Sequence, residues 1–350
     1  DRPLVLPHFF DRAERLFADK HVATNGPEGI DRLTYGDWAA RTRRLGGVLD
    51  TLGISDAGRV GTFAWNTGRH LELWFGVPCT GRILHTLNIR LFPEQLAYVI
   101  NHAEDEVVIL DASIAPLLAK VRNELRTVKH IITFGEGDTA GLGETLEYET
   151  LLAESPDGFD YPVVDERSAA AMCYTSGTTG NPKGIAYSHR STFLHSLAGT
   201  SAQMMGFSQF DRLLLIVPMF HANAWGMPYS GWVVGADLVL PHSGLLAGPL
   251  TQIIEETRPT YAGAVPTVLN DILNNQPNAD LSSLRGVICG GSAVPRSLIE
   301  GFDETFGVEV TQAWGMTETS PLAAIAHVPK ESDPADAMSW RVRTCLLYTS

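Results

Sequence analysis

The sequence is poor in the features that mark disulfide-stapled, zinc-bound and nucleic-acid-binding proteins. Four of its 350 residues are cysteine, and they are Cys79, Cys173, Cys289 and Cys345. They are widely spaced and form no C-x-x-C pair, which predicts a reducing compartment and no structural zinc site. Acidic residues outnumber basic ones by 40 to 26, and the net charge is −14. This charge argues against a nucleic-acid partner and against a polybasic membrane anchor.

The sequence also lacks a convincing transmembrane segment. The charge-free run Leu213–Ala236 is long enough to cross a bilayer at about 1.5 Å per residue. It contains Pro218, His221, Asn223 and Pro228, so its backbone would be broken and unsatisfied in lipid. A buried core region or an apolar ligand pocket is the better interpretation.

Strand-like and helix-like runs alternate along the chain, which predicts an α/β fold with layered, largely parallel sheets and flanking helices. The predicted strands are Arg59–Ala64, Glu106–Leu110, His130–Phe134, Ala169–Cys173, Leu213–Val217, Leu238–Leu240, Tyr261–Val265, Val287–Cys289 and Val308–Gln312. The predicted helices are Arg69–Pro78, His189–Met205 after the N-cap Ser188, Pro249–Thr257, one beginning at Pro266, and Pro295–Phe306. Gly141–Glu154 is predicted to be a surface loop, and a join near residue 165 is expected to divide subdomains 1–165 and 166–340.

A hydroxyl- and glycine-rich motif, YTSGTTGNPKG, follows the predicted strand Ala169–Cys173. It supplies Thr175, Ser176, Gly177, Thr178, Thr179, Gly180 and Lys183. Glycines let the backbone approach an anion, hydroxyls donate to phosphate oxygens, and the lysine adds positive charge. Pro182 precedes Lys183, so the motif is not a Walker A loop, which requires glycine there. The pattern indicates a polyphosphate-binding loop of another kind, and the alternative is an ordinary solvated linker.

A second group of residues follows the last two predicted strands. The segment QAWGMTETSP contains Trp314, Gly315, Thr317 and Glu318. A carboxylate beside phosphates suits Mg²⁺, and an indole offers a face on which a purine stacks. Upstream lie the small residues Gly290, Gly291, Ser292 and Ala293, which let a flat ring approach the backbone. The alternative for each feature is structural: a core tryptophan, a solvated glutamate and an ordinary turn.

Together these motifs resemble those of the AMP-forming acyl-CoA synthetases, in the superfamily that includes aryl-CoA synthetases, adenylation domains of nonribosomal peptide synthesis and luciferases. YTSGTTGNPKG matches the phosphate loop of the family, WGMTET its Y-G-x-T-E motif, and GGSAVP its adenine-pocket segment. The resemblance extends from near the N-terminus to about residue 340. It implies that residues 1–340 form the large N-terminal, AMP-binding domain of the adenylate-forming fold.

Two further segments resemble the medium- to long-chain fatty acyl-CoA synthetases, namely LHTLNIRLFPEQLAYVINHAED and VPMFHANAWGMPY. In this resemblance His221 lies near the substrate carboxylate, and Trp225 matches a tryptophan that gates the fatty-acid tunnel, with Gly226 beside it. A nearly charge-free region is suited to an alkyl chain, because each buried CH₂ contributes about 0.8 kcal/mol. Without the resemblance, His221 reads as a satisfied core histidine and Trp225 as a core aromatic residue.

The resemblance implies a two-step reaction that uses a fatty acid, ATP, Mg²⁺ and CoA. Glu318 is expected to hold Mg²⁺, and Thr317 to contact the α-phosphate. The phosphate loop with Lys183 is expected to hold the β- and γ-phosphates. His221, Thr317, Glu318 and Lys183 are therefore the predicted catalytic residues. A cytoplasmic protein, with peripheral membrane contact and a homodimer as further options, is the expectation.

The sequence departs from the family pattern at its end. The smaller C-terminal domain, the ribose-binding aspartate, the hinge and the late lysine of the family have no counterpart here. Residues 341–350 are expected to be a truncated end, with residues 346–350 a non-native tail, and this chain to turn over poorly. The alternatives are a non-catalytic protein that binds acyl groups or nucleotides, and an enzyme that activates aryl or amino acids.

Overall fold

The computed structural model describes residues 2–175, 180–329 and 331–342, except for the side chain of Pro334. The predicted truncated end beyond residue 342 lies outside these residues. In chain order the strands are β1 (His21–Gly26), β2 (Gly29–Thr34), β3 (Arg59–Phe63), β4 (Ile83–Thr86), β5 (Asp105–Asp111), β6 (His130–Phe134), β7 (Leu146–Glu147), β8 (Ala169–Thr175), β9 (Lys183–Ser188), β10 (Arg212–Leu215), β11 (Asp237–Leu240), β12 (Tyr261–Ala264), β13 (Gly286–Cys289), β14 (Val310–Gly315) and β15 (Leu322–Ile325).

The helices are distributed between these strands. They are α1 (Leu6–Leu16), α2 (Tyr35–Thr51), α3 (Gly68–Cys79), α4 (Pro93–Ala103), α5 (Ala115–Ala119), α6 (Tyr148–Glu154), α7 (His189–Thr200), α8 (Met227–Val234), α9 (Ala247–Thr257), α10 (Pro266–Asn275), α11 (Arg296–Phe306) and α12 (Ala337–Arg341). Across the described ranges, every helix is too short or too polar to span a lipid bilayer.

The chain folds into two compact units with interleaved sequence. The first comprises Asp1–Asp19, Thr34–Leu194 and Pro218–Asn223, and the second comprises Lys20–Leu33, His195–Val217 and Ala224–Ser350. The expected join near residue 165 falls inside the first unit. A division of this kind is invisible in local sequence patterns, because it depends on β1 pairing in parallel with β11 far along the chain.

The first unit contains a seven-stranded sheet in the order β7-β6-β5-β3-β4-β8-β9. Its pairs are parallel from β7 to β8, and only the pair of β8 with β9 is antiparallel. Apolar side chains of β5, α4 and α5, among them Val108, Leu110, Ile100 and Leu118, form a buried cluster against this sheet. The run of buried residues in β5 is typical of a strand that is covered on both faces.

The second unit contains an eight-stranded sheet in the order β15-β14-β13-β12-β10-β11-β1-β2. Strands β11, β10, β12, β13 and β14 run parallel, and β15 is antiparallel to β14. The core includes Leu214, Val239, Leu250, Ile299 and Phe302 from strands and helices. The carboxyl ends of the parallel strands meet at one edge, where ligands bind in folds of this class.

The predicted α/β class with largely parallel sheets is confirmed, since most predicted strands and helices are present within a few residues. Three local predictions were wrong. Helix α7 ends at Thr200 rather than Met205, because the chain turns back there and the Met205 N–H donates to the Gly199 carbonyl (3.2 Å). Gly141–Glu154 is not a loop throughout, since it contains β7 and α6. Strand β14 continues to Gly315, so Trp314 lies within it rather than after it.

Three cysteines lie in the core. Cys79, Cys173 and Cys289 are buried and free.

Burial of His70 on α3 makes the stability of the first unit sensitive to acid. The side chain is fully buried, with its ring nitrogens 3.0 Å from Thr62 Oγ1 and 3.0 Å from the Trp65 carbonyl oxygen. Burial lowers the pKa of His70 to about 4, although the bond to Trp65 opposes this shift. The folded state therefore keeps this ring neutral at pH values where an unfolded histidine, with a pKa of about 6.5, takes up a proton.

We expect the free energy of unfolding to fall as the pH decreases from about 6.5 to about 4, with a contribution of up to about 3 kcal/mol from His70. The His70→Gln variant is expected to lose that part of the pH dependence. Urea unfolding at pH 7, 6, 5 and 4.5 measures it. The matched control is His21→Gln, because the His21 side chain is 50% exposed. An identical pH slope for the His70 variant and the control would contradict the prediction.

Candidate functional site

The predicted site residues fall into two groups, one in each unit. Thr175, Gly180, Lys183 and His221 belong to the first unit. The second unit contains Trp225, Gly226, Gly290, Gly291, Ser292, Ala293, Trp314, Gly315, Thr317 and Glu318. Ser176, Gly177, Thr178 and Thr179 lie outside the described residues.

In the first unit, the phosphate motif is flanked by two antiparallel strands. Thr175, the last residue of β8, pairs with Lys183, the first residue of β9. Strand β9 was not predicted, because KGIAYS lacks a long apolar run, and half of its residues are exposed. The pairing places the Thr175 hydroxyl and the exposed Lys183 amine at the same end of the hairpin.

The segment that carries His221 is anchored to the first unit by its neighbours. The Met219 N–H donates to Asn66 Oδ1 (2.8 Å), and Phe220 packs into the apolar cluster of this unit. Thr86 Oγ1 donates to Asn223 Oδ1 (3.3 Å). Asn66 is buried and holds this segment through its side chain.

His221 itself is exposed, so it is not a core histidine. Partial desolvation and the nearby positive charge of Arg90 lower its pKa. The imidazole is therefore neutral at pH 7, and it is able to donate one hydrogen bond and to accept another.

The residues after His221 form a left-handed turn. Ala222, Asn223, Ala224 and Trp225 have φ angles of 42°, 47°, 44° and 56°, and Gly226 follows with 72°. Each non-glycine residue in this conformation costs about 1–2 kcal/mol. Local strain of this kind is concentrated at functional sites, and here it lies in the segment that carries Trp225.

In the second unit, the indole of Trp225 lies against the two glycines that follow β13. It is 8% exposed. A methyl group on Gly290 would lie 3.6 Å from the indole, and one on Gly291 would lie 3.8 Å from it. The flat ring that lies beside these two glycines in this structure is that of Trp225.

A second reason for glycine at position 290 is the neighbouring strand. A Cβ atom there would lie 2.6 Å from the Ala313 carbonyl oxygen of β14. We expect Gly290→Ala to destabilise the second unit by about 1–3 kcal/mol, because the two strand ends must separate. Thermal unfolding measures the loss. Gly248→Ala is the matched control, since its methyl group would have an ordinary contact at 3.7 Å. An equal melting temperature for both variants would contradict this expectation.

His195 of α7 contacts two separate parts of the second unit. This role was not predicted from the sequence. Its ring occupies the space beside Gly226, where a Cβ atom would lie 2.6 Å from Nδ1. Its Nε2 accepts a hydrogen bond from the Leu322 N–H (3.2 Å) at the start of β15. Burial lowers the pKa of His195 to about 4, which keeps Nε2 free to accept. The only signal in the sequence is a polar residue inside a helical segment.

The WGMTET motif forms the end of β14 and a 3-10 turn over Thr317–Thr319. The turn is closed by its own backbone and by Thr319, whose Oγ1 accepts from the Met316 N–H (2.9 Å). Trp314 is half-buried, and Glu318 is exposed. Gly315 lies directly against the backbone of Pro321 and Leu322, with no space for a side chain.

Glu318 fits a Mg²⁺ site in which the oxygens of a bound phosphate compound, rather than protein side chains, surround most of the ion. In the part of the chain that the structure describes, no group of three or more His, Cys, Asp or Glu side chains forms a metal site. Mg²⁺ characteristically takes one or two carboxylates and completes its shell with phosphate oxygens and waters. A single exposed carboxylate on a rigid turn is adequate for that arrangement.

Comparison with known proteins identifies the family. The sequence matches the AMP-binding enzyme family over residues 9–343. It is 42% identical to a 3-methylmercaptopropionyl-CoA ligase of Ruegeria lacuscaerulensis, over 94% of this chain and 62% of that protein. It is 44% identical to a long-chain-fatty-acid–CoA ligase of Thermus thermophilus, over 92% of this chain and 59% of that protein. A medium-chain-fatty-acid–CoA ligase of Ectopseudomonas oleovorans is 41% identical, over 93% and 61%.

Solved structures show the same fold. An anthranilate CoA ligase in complex with anthranoyl-AMP superposes with a TM-score of 0.86 at 25% identity, over 95% of this chain and 64% of that chain. A long-chain-fatty-acid-CoA ligase of Archaeoglobus fulgidus superposes with a TM-score of 0.83 at 21% identity, over 95% and 68%. The chain spans about three fifths of the length of the curated relatives that it matches. Because the family match extends over nearly the whole sequence, the chain belongs to the AMP-binding enzyme family.

Proposed function

We propose that the protein formed by this chain, or containing it, activates a medium- or long-chain fatty acid with ATP and transfers the acyl group to CoA. The observation that carries the proposal is the Thr175–Lys183 pair, which flanks a hydroxyl- and glycine-rich motif in a chain 41–44% identical to CoA ligases. The activity, substrates and Mg²⁺ requirement of the complete protein remain part of this proposal.

In the first step, a carboxylate oxygen of the fatty acid attacks the α-phosphorus of ATP. The bond to the oxygen that bridges the α- and β-phosphates breaks, and pyrophosphate leaves with that electron pair. Two anions must approach each other, so positioning and charge neutralisation contribute most of the rate enhancement. Thr175, Gly180 and Lys183, with Ser176, Gly177, Thr178 and Thr179, are proposed to hold the β- and γ-phosphates. Thr317 is proposed to contact the α-phosphate.

Mg²⁺, held through Glu318, would supply further neutralisation of the phosphate charge. His221 is proposed to donate a hydrogen bond to the fatty-acid carboxylate, since the neutral ring that its lowered pKa favours still carries one N–H donor. Ser292, Ala293, Trp314 and the glycines at 290, 291 and 315 are proposed to form the adenine pocket.

In the second step, the thiolate of CoA attacks the acyl carbonyl carbon and AMP leaves. The reaction needs no protein nucleophile, because the substrate carboxylate and then the thiol attack. Trp225 and Gly226 are proposed to lie along the acyl chain. The strained turn that carries Trp225 supports this role, because backbone strain is concentrated at functional sites and Trp225 offers an apolar ring.

The relatives differ in the length of the acyl group for which they are named. A 3-methylmercaptopropionyl group is much shorter than a long-chain acyl group, yet ligases named for each are about equally similar to this chain. A buried alkyl chain contributes about 0.8 kcal/mol per CH₂, so a long apolar tunnel discriminates strongly by length.

Thermal stabilisation by non-hydrolysable acyl-AMP mimics tests the proposal on the full chain. Mimics carrying 3-methylmercaptopropionyl, C4, C8, C12 and C16 groups are compared with the adenylate part alone. At 100 times the dissociation constant a bound mimic stabilises by about 2.7 kcal/mol, which is a shift of about 2–4 °C at this size. We expect the shift to grow with chain length to a plateau at C8 or beyond. A maximum at the 3-methylmercaptopropionyl group would overturn the fatty-acid assignment, and no shift with any mimic would overturn the adenylate site.

A further inference from the structure

Tyr174 has no role in the proposed mechanism, but it lies in the hairpin of β8 and β9 that flanks the phosphate motif. Tyr174 precedes Thr175 on β8 and pairs across the hairpin with Gly184 of β9. A Cβ atom on Gly184 would lie 3.0 Å from Tyr174 Cζ and 3.3 Å from its hydroxyl oxygen. The outer end of the ring therefore lies close to Gly184, and glycine at this position leaves room for it.

The hydroxyl of Tyr174 is tied to a helix outside the hairpin. It shares a 2.7 Å hydrogen bond with Nδ1 of His102, in the last turn of α4. The two rings meet nearly at right angles, with centroids 5.8 Å apart, and Tyr98 of the same helix stacks on His102 at 5.1 Å. The imidazole thus has a fixed orientation, and the hairpin is fastened to α4 through one side chain.

A buried pair of residues, His85 and Asp105, lies next to the Tyr174 ring. His85 of β4 lies 5.1 Å from the Tyr174 ring, measured between centroids. Its Nδ1 is 2.8 Å from a carboxylate oxygen of Asp105 on β5, and this contact passes over Gly61 of the intervening strand β3. Both His85 and Asp105 are fully buried. Asp105 thus holds His85 in place, and His85 in turn contacts the tyrosine ring.

Burial and the charge of Asp105 raise the pKa of Tyr174. The hydroxyl therefore stays protonated near neutral pH and acts as a hydrogen-bonding group with no charge. Among the described residues, the hydrogen bond of this hydroxyl is to His102.

We infer that Tyr174 and His102 are positioning residues for the triphosphate of ATP. Their hydrogen bond, with the ring packed on Gly184, sets the relative placement of the two strand ends that carry Thr175 and Lys183. This inference rests on the proposed function, because it assumes that these two residues bind the β- and γ-phosphates. It predicts that loss of the bond weakens the binding of triphosphate while leaving the binding of AMP unchanged.

Equilibrium binding of Mg²⁺·ATP, tripolyphosphate and AMP to the full chain tests the inference. The variants are Tyr174→Phe, His102→Ala, His102→Gln and Gly184→Ala, whose methyl group would crowd the tyrosine ring. Tyr161→Phe is the matched control, since the Tyr161 hydroxyl is buried and has no hydrogen-bond partner among the described residues. Loss of one hydrogen bond is expected to weaken ATP and tripolyphosphate binding by about 3- to 10-fold. His102→Gln is expected to retain more affinity than His102→Ala, and AMP affinity is expected to stay within about 2-fold throughout.

The outcomes separate the inference from the function on which it rests. If the unaltered chain binds ATP and the Tyr174→Phe and His102→Ala variants bind it equally well, the positioning role is overturned and the proposed function stands. An equal loss of ATP and AMP affinity would also overturn it, since that pattern indicates general damage to the fold. If the unaltered chain binds neither nucleotide nor tripolyphosphate, the proposed function fails and the inference fails with it.

Discussion

Replacing Glu318 by glutamine is expected to remove most of the strengthening that Mg²⁺ gives to ATP binding, with an affinity for Mg²⁺ in the ATP complex at least about 10-fold weaker. Mg²⁺ prefers charged oxygen ligands, and the amide that replaces the carboxylate is a poorer one. Disturbance of groups that merely orient metal ligands already costs about 10- to 100-fold in affinity, so loss of a direct ligand is expected to cost at least as much. Isothermal titration calorimetry, in which Mg²⁺ is added to a mixture of the chain and ATP, measures this affinity.

The geometry of the turn makes this variant interpretable. The bonds that close Thr317–Thr319 involve the Met316 backbone and the Thr319 hydroxyl, and none of them uses the Glu318 carboxylate. The fold is therefore expected to keep its melting temperature, as is usual for a change at an exposed position. Glu304→Gln, at an exposed glutamate on α11, is the matched control. Mg²⁺ binding that is equal in both variants would show that Glu318 is not a metal ligand.

Replacing Arg41 by methionine is expected to destabilise the first unit by about 3–5 kcal/mol. Arg41 of α2 forms a two-point ion pair with Glu72 of α3, at 2.6 Å and 3.3 Å. The Glu72 side chain is 1% exposed, and it also accepts a hydrogen bond from the Tyr148 hydroxyl (2.8 Å). Burial raises the pKa of Glu72, and the charge of Arg41 opposes that rise. Without the arginine, a buried carboxylate loses its main counter-charge and must be neutralised at a cost.

A second variant separates the loss of charge from the loss of packing. Arg41→Met combined with Glu72→Gln removes both charges, so it is expected to recover part of the lost stability. Arg44→Met is the matched control, because Arg44 pairs with Asp157 at the surface, where solvent screens an ion pair and its contribution is small. Urea unfolding at pH 7 measures all three. If Arg41→Met lowers the free energy of unfolding no more than Arg44→Met does, the buried pair does not hold α2 to α3.

Much of the fold was predictable, because local patterns report on local structure. The apolar runs of β5, β6 and β13 and the proline at the start of α10 predicted these elements nearly to the residue. Predictions failed where a neighbour decided the outcome. The short strand β7 exists because β6 pairs with it, and α6 begins after Glu147, whose carboxylate caps the N–H groups of Glu149 and Thr150.

The site shows the same division. Its motifs were found because glycines, hydroxyls, a lysine and a carboxylate at close spacing have a direct chemical meaning. The partners that hold the motifs in place were not found, namely Asn66, His102 and His195. Each acts across a large separation in sequence, through a hydrogen bond that residue type and short-range spacing do not specify.

By itself the sequence determined the α/β class, the order of the motifs and the chemistry that their side chains can perform. These properties follow from residue type and short-range spacing. The tertiary structure alone decided that the units are interleaved and that β9 pairs with β8. It also decided that Gly290 is glycine because of a neighbouring carbonyl, and that Tyr174 is fastened to α4. The physical reason is that strand pairing and side-chain hydrogen bonds depend on distance in space, which the order of residues along the chain does not specify.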